Sequence, residues 1–365
     1  MRSLLSLKRL WILLALPAAI LLLLAAGNPD FAEWYALHPY AFLSRVGNAV
    51  TGIFPFSLAE ILVILLLIGV PVALIWFLIH FFRSKGRRGV VLGKGLLNLL
   101  CFASVLLLLF TLNCGINYNR HTFAETCGLE LRPSSTKELT DLSHHLAEKL
   151  NELRPLVKED ENGMMISSFS SLQEQGAAAR EAFNTLHEEY PLLSPGYSDP
   201  KAVMNSRVMS WFHITGVYFP FTFEANVNVD VPAYSIPATM CHELSHLRGF
   251  MREDEANFIG YLACCRSSSP DFQYSGYMLA FVYANNALYS ADSEAASAVY
   301  SELSEGVQRD YAANTTYWKQ FEGPMKEISN SVNNTYLKAN GQEDGVKSYG
   351  RMVDLLLAEY RSQTE

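Results

Sequence analysis

Residues 240–258 read MCHELSHLRGFMREDEANF: two histidines four apart, a glutamate directly after the first, and three acids beyond a glycine. On an α-helix, positions i and i+4 share a face, so His242 and His246 present two imidazoles to one ion. Zinc takes nitrogen and oxygen donors at about 2.0–2.2 Å in a tetrahedron, and a catalytic site leaves the fourth position to water. Glu243 stands where its carboxylate can take that water's proton during attack on a carbonyl, then pass it to the leaving amine. The pattern therefore names Zn2+ as cofactor and Glu243 as general base. A third protein ligand is required, and Glu253, Asp254 and Glu255 are at hand. Glu253 and Asn257 are again four apart, so Glu253 can bind the metal while Asn257 orients a histidine from behind. Glu255 is the alternative ligand. The bare motif also occurs on exposed helix turns with no metal, so its setting matters.

The setting is a strand, a helix, a turn and a second helix. SIPATMCHELSHLRG (235–249) reads as the first helix, with Ser235 as cap, Pro237 in the first turn and Gly249 as the stop. A new helix starts at Arg252. Upstream, ITGVYFPFTFEANVNVDV (214–231) alternates at Ala225, Val227, Val229 and Val231, which predicts one or two strands ending at Pro232. Asn226, Asn228 and Asp230 then face solvent or a cleft. The last strand is a candidate edge for pairing with an extended substrate, with a core hairpin as the alternative. Helices are expected over 134–157, with a Ser135/Glu138 capping box, over 168–189, and through most of the chain to about residue 360. Tyr336, Tyr349 and Arg351 are candidate donors to an oxyanion, against a default of packing and surface roles. The aromatics of 274–289 are spaced as a buried helix face. His144 and His145 read as solvated or half-buried polar positions of the 134–157 helix, and His121, His187 and His213 lack partners at ligand spacing and read as structural.

Three nearly charge-free runs precede all this: 10–26, 61–82 and 95–113. Each approaches the roughly 20 residues needed to cross a bilayer, so residues 1–114 read as three transmembrane helices. A cleaved signal peptide is the other reading of the first run. Arg2, Lys8 and Arg9 precede the first span, and Arg83, Lys85, Arg87, Arg88 and Lys94 lie between the second and third. The loop between the first and second spans has only Arg45, with Asp30 and Glu33. Basic flanks stay in the cytoplasm, so residues 115–365 are expected outside it. Residues 1–114 carry nine Lys/Arg and three Asp/Glu, a net of +6, so the chain's total of −8 leaves −14 for residues 115–365. So acidic a domain excludes nucleic acid as a partner and leaves a protein or peptide substrate and the lipid bilayer. A protease working inside the bilayer is excluded too, because the motif lies among polar and acidic segments. Of the six cysteines, Cys114, Cys127, Cys241, Cys264 and Cys265 face a compartment where disulfides form, and either disulfides or buried thiols suit them.

Glu253-Asp254-Glu255-Ala256-Asn257 resembles the E-x-x-A-[DN] segment of gluzincin metallopeptidases. The resemblance implies His242, His246 and Glu253 as ligands, Glu243 as general base, and an α+β zincin-like domain, mainly helical with a small sheet beside the motif helix. Asn257 departs from the aspartate common in that class, as does the short gap from His246 to Glu253. The run through Gly249 also resembles metzincins, but their third histidine would fall at Arg252, which excludes that class. Over nearly its full length the chain resembles a bacterial membrane family of unknown function, DUF3810, in FTFEANVNVDVP, CHELSH, EDEANFIGYLA and NGQEDGVKSYGRMVDLLLAEY. That resemblance implies a multi-pass protein of the bacterial cell membrane with a peptidase-like domain outside. A non-catalytic zinc-binding sensor or scaffold is the rival expectation.

Overall fold

The computed structural model describes residues 7–364. Three helices are long and apolar enough to cross a membrane, Leu10–Gly27, Leu58–Arg83 and Arg88–Asn113, close to the bounds expected. The first ends as α1 (Ala15–Gly27). A connector follows, α2 (Pro29–Tyr35) and α3 (Ala41–Thr51), joined by a π-helical turn over Ala36–Tyr40. Pro39 sits in that turn and brings no N–H, so the helix widens there. The other spans are α4 (Leu58–Arg83) and α5 (Arg88–Asn113).

Helices α6 (Phe123–Cys127), α7 (Thr136–Leu153) and α8 (Leu172–Glu189) open the domain that follows the third span. The Ser135/Glu138 capping box forms as expected. Helix α8 starts later than 168, at the cap supplied by Ser171. A three-stranded sheet follows: β1 (Lys201–Ala202), then a short α9 (Ser206–Trp211), β2 (Gly216–Phe219) and β3 (Glu224–Val227). Its order is β1-β3-β2, with β1 parallel and β2 antiparallel to β3. The chain ends in helices: α10 (Ser235–Leu247), α11 (Glu253–Arg266), α12 (Pro270–Ala291), α13 (Ser293–Ser301), α14 (Glu305–Lys319), α15 (Pro324–Ala339) and α16 (Met352–Thr364). Tyr274, Met278 and Phe281 of α12 are fully buried, as the aromatic spacing predicts, but Tyr277 and Tyr283 are only partly buried and Tyr289 is exposed.

Several expectations are corrected. Strand β3 is central, so the exposed edge beside α10 belongs to β2. The strand ends at Val227, because Asn228 turns its Oδ1 onto the Asp230 N–H and breaks the alternation. Asn226 and Asn228 are buried, not solvent-facing. Asn226 accepts from Ser57 Oγ, and Asn228 donates to Ser210 Oγ and the Ile214 carbonyl, so neither amide is left unpaired. Ser235 does not cap α10; its hydroxyl donates to the Pro232 carbonyl, and Tyr234 occupies the cap position. Of the two readings left open for the cysteines the structure has the thiols: all six are free.

The connector belongs structurally to the domain that follows the third span. Tyr35, Tyr40, Ala41, Ser44 and Asn48 on one of its faces are buried. Ser44 bonds the Tyr197 hydroxyl, and Asn48 donates to the Phe223 carbonyl while accepting from the Ser198 N–H. Arg120 reaches back in a two-pronged bond to Glu33. At the connector's far end the Glu224 carboxylate of β3 accepts the first free N–H groups of α4, from Leu58 and Ala59, and pairs with buried Lys201 of β1.

Candidate metal centre

Two glycines set the path from α10 to α11. Gly249, at φ +87, turns the chain at the end of α10. Gly260 lets α11 lie against α10, since a Cβ there would stand 3.0 Å from the His242 nitrogen. The reversal sets Glu253, at the start of α11, beside both histidines. His242 and His246 Nε2 are 3.0 Å apart, and Glu253 Oε2 lies 3.2 Å from the first and 3.5 Å from the second. Three donors around one ion at about 2.0–2.1 Å stand about 3.3 Å apart at tetrahedral angles, which matches this triangle. His246 Nδ1 bonds the Phe250 carbonyl at 2.7 Å, which turns Nε2 toward the cluster.

Glu255, the alternative ligand, points away and accepts the Phe123 N–H and an Arg252 guanidinium N–H. Asp254 faces Arg351. Asn257 does not sit behind either histidine: its amide donates to the Tyr283 hydroxyl at 3.2 Å, and buried His242 Nδ1 has no partner. The geometry of α11 thus corrects the expected role of Asn257, because Tyr283 of α12 takes up its amide.

Charge in the cluster follows from burial and proximity. Burial opposes ionisation of His246, but the Glu253 carboxylate outweighs it and lifts the pKa to about 9. Glu253 answers in kind: burial pushes it up, and the two imidazoles hold it well below the usual carboxylate range. Glu243 is buried, with Oε2 unpaired. Burial raises its pKa, against the pull of His242 and His246. Its other oxygen lies against Gly216 of β2, where a Cβ would collide with it. Glu243 thus stands free of the triangle, between the cluster and the edge strand.

Tyr40 of the connector closes the end of α10. Its hydroxyl is shared among the His246 and Leu247 carbonyls, at 3.3 and 3.2 Å, and the Tyr218 hydroxyl at 3.0 Å. Neither it nor Gly216 and Gly260 carries any signal in the sequence; each acts through a contact remote along the chain. Of the candidate oxyanion donors, Tyr349 lies within electrostatic reach of Glu253 and Glu243. The Tyr336 hydroxyl accepts from Tyr118. Arg351 is engaged by Asp254 and Asp344, away from the triangle.

Fold and site define a class: a mainly helical protein with apolar N-terminal helices and a buried His–His–Glu cluster in its other part. Residues 35–357 match the family model of a protein of unknown function, DUF3810, and the chain belongs to that family. The match runs from the connector into α16, so the second and third spans, most of the connector and the cluster fall inside it, while the first span precedes it. No curated protein and no solved structure matches the chain.

Proposed function

We propose that this protein is a membrane-anchored zinc metallopeptidase that hydrolyses peptide bonds of a protein or peptide at the outer face of the bacterial cell membrane. The observation that carries the reading is one juxtaposition. Three ligand atoms converge at near-tetrahedral spacing, and a buried carboxylate, Glu243, stands beside them with an oxygen unpaired. A purely structural site has no use for that carboxylate, whose burial unpaired is costly. Zinc held by His242, His246 and Glu253 would act as a Lewis acid and lower the pKa of its water toward about 7. Glu243 would hold the proton released in attack and deliver it to the leaving amine, a task its raised pKa suits. The free edge of β2 next to Glu243 offers main-chain groups to an extended peptide. The basic flanks of the apolar helices support an external position for this domain, and the motif helix beside a small sheet supports a zincin-like fold.

A second reading, a non-catalytic zinc-binding sensor or scaffold, has one observation in its favour. His242 Nδ1 is buried without the orienting partner that catalytic zinc histidines usually have. The test is bound zinc per chain in the detergent-purified full-length protein. Near-stoichiometric zinc that is lost in His246→Ala and Glu253→Ala but kept in Glu243→Gln supports the peptidase, and loss of peptide cleavage in Glu243→Gln completes the case. Cleavage absent from a zinc-loaded wild type selects the sensor. No zinc in wild type, or zinc retained in Glu253→Ala, overturns the ligand set and both readings.

A further inference from the structure

The connector has a second face, and among the described residues nothing covers it. Trp34, Phe42, Val46, Val50 and Ile53 are between 50% and 76% exposed. Within α3, positions 42, 43, 46 and 50 follow helical spacing and lie opposite the buried Ala41, Ser44 and Asn48. The stripe carries no acid: Asp30 and Glu33 are turned to His121 and Arg120, and Arg45 stands at its border with Nε bonded to the Ala41 carbonyl. Soluble surfaces rarely expose so large a continuous apolar face.

We infer that this face lies in the headgroup–acyl boundary of the bilayer, which makes the connector an in-plane platform with lipid on one side and the cluster on the other. Continuity with the spans carries the argument. The connector leaves α1 after Gly27 and enters α4 at Leu58, so both its ends are fixed where spans reach the same membrane surface. A helix tethered in that way, apolar on one side and flanked by Trp34 and Arg45, has the composition of an interfacial helix. Its opposite side touches the end of α10 through Tyr40. An α-helix is about 10–12 Å across, so the His–His–Glu triangle stands roughly one helix diameter above the lipid. A ligand reaching it would be a chain segment emerging from the membrane, close to its point of exit.

The test is paired labelling of the full-length protein in liposomes, with a lipid-phase carbene reagent and with hydroxyl radicals in the water, read residue by residue by mass spectrometry. The lipid reference is the Leu65–Ile75 stretch of α4, and the aqueous reference is Val208 and Trp211, both exposed on the external domain. Carbene labelling of Phe42, Val46, Val50 and Ile53 at the level of the lipid reference, with loss of hydroxyl-radical oxidation, supports the platform. Oxidation at the level of Val208 overturns it. Protection from both reagents overturns it as well and assigns the face to a protein neighbour. None of these outcomes depends on zinc or on hydrolysis.

Discussion

Gly260 of α11 lies directly over the main chain of His242: a Cβ on the glycine would stand 3.0 Å from the His242 nitrogen and 3.3 Å from its Cα. The closeness of these helices decides whether Glu253 meets the histidines. Gly260→Val forces them apart at a cost of about 1–3 kcal/mol for overpacking. Zinc affinity should fall about 10–100-fold, the range seen when groups supporting metal ligands are disturbed. Competition against a chromophoric chelator measures it. Unchanged affinity in a folded variant would mean that the triangle does not depend on this contact.

Gly216 guards Glu243 in the same way from the side of β2. Gly216→Ala places a methyl group where Glu243 Oε1 now lies, so the carboxylate must turn. Peptide hydrolysis should drop by about 10²-fold, the penalty for misplacing a catalytic group by about an ångström. Zinc content should stay at the wild-type level, because the three atoms nearest a Cβ at Gly216 all belong to Glu243. Assaying both on one preparation separates loss of the base from loss of the metal.

The spans, the motif helix and the Ser135/Glu138 cap were legible in the sequence because each is written in local spacing. Lack of charge over a bilayer's width, histidines one turn apart and a serine three before a glutamate all act within a single element. Asn226 and Asn228 misled because their partners, Ser57, Ser210 and Ile214, lie elsewhere along the chain. An asparagine with no visible partner reads as solvent-facing. Asn257 misled for a related reason: the E-x-x-A-N spacing places it on the right face of α11, but Tyr283 of α12 claims its amide. The connector was hidden more thoroughly. A segment between two spans is scored for charge alone, and its Tyr40, Ser44 and Asn48 stripe acquires meaning only against Tyr218, Tyr197 and Phe223.

Lys201 and Glu224 form a buried ion pair that also holds the start of α4. Lys201→Met leaves a buried carboxylate without its counter-charge and should destabilise the protein by about 3–5 kcal/mol. Adding Glu224→Gln should recover part of this, because the amide carries no charge and its one oxygen still accepts one of the two α4 N–H groups. Denaturation in detergent, followed by near-ultraviolet circular dichroism, gives both numbers.

Glu359 of α16 supplies a pH dependence. Burial raises its pKa from 4.5 to about 7, against the pull of Arg266. The folded protein therefore holds this proton up to about pH 7, whereas the unfolded chain releases it near 4.5. The folded state binds more protons across that window, so stability falls as pH rises through it and levels off above about pH 7, by on the order of 3 kcal/mol in all. Glu359→Gln should flatten this decline and gain most over wild type on the alkaline side. Melting curves at about pH 5 and about pH 8 decide the matter: equal shifts at both would exclude Glu359 as the source.

The hydroxyl of Tyr40 on the end of α10 has a consequence for how the chain divides into domains. Tyr40 emerges between the first two spans, about two hundred residues before the helix it completes. The domain after the third span is therefore not a bead threaded onto an anchor. Its sheet, the helix that carries His242 and His246, and the inner face of the connector pack on one another, so the domain is complete only with the connector between the first two spans in place. A fragment starting at residue 115 leaves behind Glu33, Tyr40, Ser44, Asn48 and Ser57, and with them the floor on which the site is built.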